Sequence, residues 1–244
     1  MDKDEVLAWL EKKGTRSTVD GMARYGIVAQ HAFGVTMGTL QTLAKQLGKD
    51  HALSLSLWET GWYEARLLAA LVGDPNQVTS RQMDAWARGF ENWADCDTVC
   101  FKLWDRTPFA WEKVHKWASS PREFVKRGAF ALMACLALHD KVASNEQFLV
   151  LLPLIEKGAQ DERNFVKKGV NWALRSVGRR NPLLNAAAIE VAKRLSLSEK
   201  AAPRWVGKDA LRELSSAKVR VQLGRRSRTA VAKSDEKKRK RLKR

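Results

Sequence analysis

Cysteine is scarce in this chain: only Cys96, Cys100 and Cys135 occur in 244 residues. Three thiols cannot make the framework of a disulfide-stapled extracellular domain, and they point to a reducing compartment. Cys96 and Cys100 are spaced like half of a metal site. No second Cys/His pair with ligand spacing lies nearby, so they read as two half-buried thiols and no metal is expected. Long apolar runs are missing too. No stretch approaches the roughly 20 residues of a bilayer span, and Met1-Asp2-Lys3-Asp4-Glu5 has no basic segment ahead of an apolar one, so neither a membrane segment nor a signal peptide is expected. Apolar–polar alternation long enough for a strand is also lacking. What remains is an all-α chain, 45% hydrophobic and so globular in composition.

Charge of one sign is plentiful. The chain carries 44 Lys/Arg against 27 Asp/Glu, a net charge of +17. Residues 225–244 hold eleven of the bases and two of the acids, hence +9, which leaves 33 bases and 25 acids before them, hence +8. The body is therefore basic without its tail, and a polyanion, nucleic acid first, is the expected partner. A surface that is basic only for solubility is the competing reading. The tail has almost no apolar residues and is expected to be disordered when free.

Helical periodicity organises the chain. Met1 to Lys13 reads as a short helix, Gly14 to Gly21 as a turn-rich break, and Met22 to Gln30 as a helical turn or two. Helices are expected over Thr36–Leu47, from an Asp50 cap onward, over Tyr63–Val72, and from Thr79 to Phe90. Further helices follow over Ala110–Ala118, Pro121–His139, Asn145–Gly158, Asp161–Arg179, Pro182–Leu195 and Ser198–Ser215, about a dozen with short connections. The expected domains are residues 1–21 as an N-terminal helix and turn, 22–217 as the main body, and 218–244 as the basic tail. Arg122-Glu123-Phe124-Val125-Lys126-Arg127-Gly128 recurs as Arg163-Asn164-Phe165-Val166-Lys167-Lys168-Gly169, 41 residues on. A period near forty in an all-helical chain suggests a HEAT-like array, a solenoid of stacked helix pairs with a concave binding surface.

Three places carry candidate chemistry. In Phe90-Glu91-Asn92-Trp93-Ala94-Asp95-Cys96-Asp97, a helix would put Phe90, Trp93, Asp97, Cys100 and Trp104 on one apolar stripe. A carboxylate there requires a partner, unless Asp95 or Asp97 merely caps a helix running toward Trp104. Arg127 shares a face with Phe130, Ala131, Ala134 and Leu138, so it needs a carboxylate or a phosphate, or it snorkels at the helix edge. Lys168, Arg175 and Arg179 form an expected exposed basic stripe. Trp172 lies at its edge, placed either to contact a nucleic-acid backbone or simply to fill core.

These segments resemble the DNA alkylation repair family of HEAT-like DNA glycosylases. The resemblance covers most of residues 22–215. It rests on Trp93-x3-Asp97, on Phe124-Val125-Lys126-Arg127, and on the run from Val166 to Arg175 that includes Lys167, Lys168 and Trp172. It implies a C-shaped helical-repeat solenoid holding duplex DNA in a concave groove and excising cationic alkylated purines such as 3-methyladenine and 7-methylguanine. By position it implies that Trp93 and Trp172 contact the lesion's deoxyribose, that Asp97 is the catalytic carboxylate, and that Arg127 binds phosphate. Lys126, Lys167, Lys168, Arg175 and Arg179 join it as DNA-binding residues. The residue after the first tryptophan, often acidic in the family, is Ala94 here, which leaves Asp95 and Asp97 both as candidates for the working carboxylate. A purine that is already cationic leaves without protonation, so neither metal nor organic cofactor is expected. The implied protein is a monomer acting on alkylated double-stranded DNA, near the nucleoid of a bacterium or in a eukaryotic nucleus. Relatives of the fold that bind damaged or branched DNA without excising bases supply the alternative.

Overall fold

Side-chain caps set many of the helix starts in the computed structural model, which describes residues 1–225. Asp2 caps α1 (Lys3–Lys13), Thr15 caps α2 (Arg16–Met22), Thr36 caps α3 (Met37–Leu47), and Asp50 caps α4 (His51–Glu59). The next two helices are α5 (Tyr63–Val72) and α6 (Ser80–Arg88), the latter capped by Thr79. After α7 (Trp93–Lys102) and α8 (Ala110–Trp117) comes the 17-residue α9 (Glu123–His139). The remainder is α10 (Asn145–Leu149), α11 (Leu152–Gly158), α12 (Asn164–Gly178), α13 (Pro182–Ser196) and α14 (Ala201–Leu214). No strand occurs among the described residues, as the missing alternation implies.

Three sequence expectations are corrected. The break expected over Gly14–Gly21 is mostly α2, because the Thr15 side chain accepts the Thr18 amide and starts a helix that tolerates Gly21. The helical turns expected up to Gln30 shrink to a three-residue 3-10 turn, Ala23–Tyr25, which Gly26 ends in the left-handed region at φ 68°. The single helix expected over Asn145–Gly158 is two helices. Pro153, lacking an amide hydrogen and colliding with the carbonyl four residues back, restarts the chain at α11. Two expected domain edges also meet helix. Residue 21 lies inside α2, and residues 217–225 are helical with Val219 and Leu223 buried. The disorder expected of the tail concerns residues outside those described.

The chain divides into two compact units, Met1–Cys135 and Leu136–Arg244. In the first, α4 packs on α5, and α5 on α3 and α7. Its core is aromatic: Trp58 stacks on Trp86 with ring centroids 4.2 Å apart, and Phe90 and Trp104 sit 5.5 Å apart beside them. In the second unit α12, α13 and α14 pack mutually, with Val170, Leu174, Ala188, Val206 and Ala210 inside. The 41-residue sequence repeat marks equivalent helix starts: Glu123 opens α9 and Asn164 opens α12, with Val125 and Val166 both buried.

The loop after α2 is anchored by a buried carboxylate. Glu64 on α5 accepts the amides of Phe33 at 2.8 Å, Gly34 at 2.7 Å and Val35 at 3.1 Å. Gly34 sits at φ 85°, and a Cβ there would lie 2.1 Å from the Thr15 carbonyl oxygen, so the loop closes only with glycine. Replacing Glu64 with alanine strips three amides of their acceptor. The expected loss is roughly 2–4 kcal/mol in urea unfolding, with faster hydrogen exchange at residues 33–35. A loss below about 0.5 kcal/mol would show that this carboxylate does not anchor the loop.

Candidate functional site

The site grows from the start of α7. Asn92 is its N-cap, accepting the amides of Ala94 at 2.9 Å and Asp95 at 3.1 Å. Asp95 closes the capping box: its carboxylate accepts the amides of Glu91 at 3.0 Å, Asn92 at 3.4 Å and Cys96 at 2.6 Å. Neither aspartate is therefore the N-cap, and Asp95 is consumed in building the helix end. Asn92 also donates to the Val28 carbonyl at 3.2 Å, and Glu91 accepts the Gln30 amide at 3.2 Å and Arg66 at 2.8 Å. The loop held by Glu64 is thereby tied to α7.

One turn into α7, Asp97 meets Arg127 from α9. The guanidinium donates two parallel bonds, Nε to Oδ1 at 2.8 Å and Nη2 to Oδ2 at 2.7 Å. This is the strong, planar form of the ion pair. It answers what the apolar face of α9 required of Arg127: the anion facing it in this structure is a carboxylate. The Arg127 side chain is 7% exposed and that of Asp97 19%, so the carboxylate is the member that meets solvent. Burial pushes the Asp97 carboxyl above the ordinary carboxylate range, against the charge and hydrogen bonds of Arg127. Trp93 lies half-buried a turn earlier. Its Nε1 donates to the Tyr25 carbonyl at 2.9 Å, and the Arg127 guanidinium lies 6.0 Å from its ring centroid.

The expected stripe from Phe90 to Trp104 divides accordingly. Phe90, Cys100 and Trp104 are core, whereas Trp93 and Asp97 stand at the solvent edge, because the buried face of α7 runs through Asp95, Cys96, Val99 and Cys100. Cys96 and Cys100 are fully rather than half buried, with thiols donating to the carbonyls of Phe124 and Gly128 on α9. Among the described residues no three His, Cys, Asp or Glu side chains are grouped to hold a metal ion. None of the described helices is long and apolar enough to cross a membrane.

In the second unit the expected basic stripe is largely paired. Arg175 donates to Glu213 at 2.7 Å with Asp209 3.8 Å away, and Arg179 reaches the other Glu213 oxygen at 2.9 Å. Lys168 is exposed, where its repeat partner Arg127 is buried. Lys167 lies 5.2 Å from the Trp205 ring, and Lys126 is half-buried on α9. Trp172 is half-buried on α12, a turn beyond Lys168 and next to buried Asn171, which donates to Asp209 at 2.7 Å.

Sequence reasoning missed a second charged cluster. Lys113 on α8 is fully buried and donates to Asp84 at 2.9 Å and to Ser80 at 2.7 Å. Lys116 and the Trp117 indole donate to the same Asp84 carboxylate, at 2.7 and 2.9 Å. Burial raises the Asp84 pKa, but these donors outweigh it and bring it to about 2. The signal was present: Lys113 falls on the Ala110–Val114–Trp117 face of α8, where a cation requires a partner.

An all-helical protein built on a forty-residue repeat, with an arginine-clamped carboxylate beside an indole, is the class these features define. The model of the DNA alkylation repair enzyme family matches residues 6–214, and the chain belongs to that family. The uncharacterised protein Lin0241 of Listeria innocua serovar 6a is 23% identical over 164 residues, 66% of this chain and 71% of that one. A solved structure described as a new family of proteins related to the HEAT-like repeat DNA glycosylases, with affinity for branched DNA structures, matches with a TM-score of 0.76 at 22% identity. The match covers 92% of this chain and 97% of that one. The fold is accordingly HEAT-like.

The buried carboxylates make stability depend on pH in two windows. Burial raises Asp95 to about 7, against the pull of its three backbone amides. Between the unfolded carboxylate range near 4 and about 7, the folded state holds the extra proton, so stability falls as pH rises. Asp84, depressed to about 2, acts oppositely and loses its contribution as pH falls from about 4 to about 2. Urea unfolding between pH 4 and 8 is expected to show wild-type stability declining by a few kcal/mol. Asp95→Asn, which cannot ionise, should reduce that decline, with Asp97, also raised by burial, contributing the remainder. An equal decline in the variant would remove Asp95 as its source.

Proposed function

We propose that this protein is a monofunctional DNA glycosylase that hydrolyses the N-glycosidic bond of cationic alkylated purines in duplex DNA. The observation that carries the reading is the Asp97 carboxylate, held by Arg127 at the solvent edge beside the half-exposed Trp93 indole. A cationic purine departs without an acid, so the barrier is the positive charge growing on deoxyribose. A fixed carboxylate in a poorly hydrated place opposes that charge with a weakly screened field. Arg127 is the positioning residue in this scheme. Two parallel hydrogen bonds fix the carboxylate plane and favour its ionised form against burial. A carboxylate has about four lone-pair sites, so two remain to face a sugar or a water. The Trp93 face adds cation–π attraction on the order of 0.5–2 kcal/mol. In this reading Trp172 is the second aromatic contact to the DNA, Lys126, Lys167 and Lys168 supply backbone contacts, and Arg175 and Arg179 add positive charge that Glu213 offsets only in part.

One observation favours the alternative, a non-catalytic binder of damaged or branched DNA. Both Asp97 oxygens already carry a guanidinium hydrogen bond, an arrangement that also serves as a purely structural clamp between α7 and α9. Release of free base from alkylated duplex separates the two readings. Under single-turnover conditions Asp97→Asn is expected to slow release at least about 100-fold, equivalent to roughly 2.7 kcal/mol of transition-state stabilisation, with duplex affinity changed less than about threefold. Release by the variant at the wild-type rate removes Asp97 from catalysis. No release by the wild-type protein leaves the binder.

A further inference from the structure

A cavity of about 400 Å³ opens among α6, the end of α8 and the residues leading into α9. Arg88, Lys116 and Arg122 stand around it with exposed side chains, and Asp84, Trp117 and Val125 line it. The cations dominate. The one carboxylate in the lining, Asp84, is already shared by the ammonium groups of Lys113 and Lys116 and by the Trp117 indole. Lys113, fully buried and shared between Asp84 and the exposed Glu112 carboxylate 3.5 Å away, offsets part of the Asp84 charge from inside, and Lys116, an exposed ammonium, keeps donors to spare. Arg88 and Arg122 have no carboxylate partner among the described residues; Arg122 donates one long bond, 3.4 Å, to the Arg88 carbonyl. Such a set invites an anion with several oxygens, since two guanidinium forks and an ammonium present more donors than one carboxylate accepts.

We propose that this cleft is an anion site that takes a phosphodiester of the DNA backbone, separate from the Asp97–Arg127 pair. Two observations favour a backbone phosphate over a nucleotide read by its base. The one aromatic in the lining, Trp117, is only 3% exposed and bonded to Asp84, so no free ring face is offered for stacking. The cations stand on long exposed side chains around an open depression, which suits a phosphate passing along a surface. Lys113 assists the site, because without it Asp84 would face the incoming phosphate with a less compensated charge. The proposal rests on the DNA-binding part of the function proposed above.

The test uses the full chain and the double variant Arg88→Gln/Arg122→Gln, with Arg88→Lys/Arg122→Lys as the charge-preserving control. Thermal unfolding first establishes that all three fold alike. Duplex affinity is then measured between 50 and 200 mM salt. Removing both arginines is expected to weaken binding about tenfold at the low end and to flatten the slope of log K against log salt by one to two, while the lysine control keeps the wild-type slope. Base release at saturating enzyme, where the wild type shows it, should be unchanged in the glutamine variant. A wild-type slope in the glutamine variant overturns the site. If the wild-type protein binds no duplex, the DNA reading has failed, and with it the phosphodiester assignment. Stabilisation by inorganic phosphate over chloride, lost in the glutamine variant, would then show a site for a free phosphate. Equal stability in the two salts would show no anion site at all.

Discussion

The ion pair between Asp97 and Arg127 is the interaction on which the site depends. It joins the second turn of α7 to the second turn of α9 through two hydrogen bonds of 2.7 and 2.8 Å, 30 residues apart in sequence. Neither charge could stand alone there. Arg127 lies among the apolar residues of α9, and burial disfavours ionisation of Asp97. Together they hold an oriented carboxylate at the edge of solvent. The remaining contacts of α7 serve to aim it. Asn92 and Asp95 fix where the helix begins, and the Tyr25 carbonyl fixes the Trp93 indole. The loop that carries this carbonyl is pinned further on by the three amides bonded to Glu64.

This arrangement bears on how an acid could belong to the DNA-binding surface proposed above. A free carboxylate would repel phosphate throughout its surroundings, whereas an arginine-clamped one presents little net charge at a distance and a directed field nearby. At contact range in a poorly hydrated place the nearer oxygens dominate, and beyond a Debye length of about 8 Å the pair is almost neutral. A carboxylate can thus stabilise a cationic sugar without forfeiting attraction for the backbone on either side. The same geometry would serve a structural clamp equally well, which is why activity, not affinity, distinguishes the two readings.

How much of this was legible in the sequence follows from the range of each interaction. Helix faces and caps are local, and Thr36, Asp50 and Thr79 announced the helices they start. The repeat located the equivalent starts of α9 and α12. The need of Arg127 for an anion was legible from its apolar neighbours; the identity of that anion was not, because Asp97 lies on another helix. The acid that pairs with the basic stripe on α12 was hidden for the same reason. Glu213, which neutralises Arg175 and Arg179, lies 38 and 34 residues further on. Asp95 and Asp97 could not be told apart by composition. They separate only once Asn92 is seen to be the cap, which turns Asp95 inward and leaves Asp97 outward. Pro153 and Thr15 were local signals that carried their meaning and were passed over.

The internal destinations of the acids also bear on how the basic character of the body is distributed. A carboxylate bonded to an arginine or lysine cancels a cation, but one bonded to backbone amides cancels none. Glu64 accepts three amides and has no cationic partner among its hydrogen bonds, and Asp95 likewise accepts three. Both are buried, so their negative charge lies inside, as do the charges of Lys113 and Arg127. Where Asp95 holds a proton, as its pKa of about 7 allows near neutrality, its charge is diminished outright.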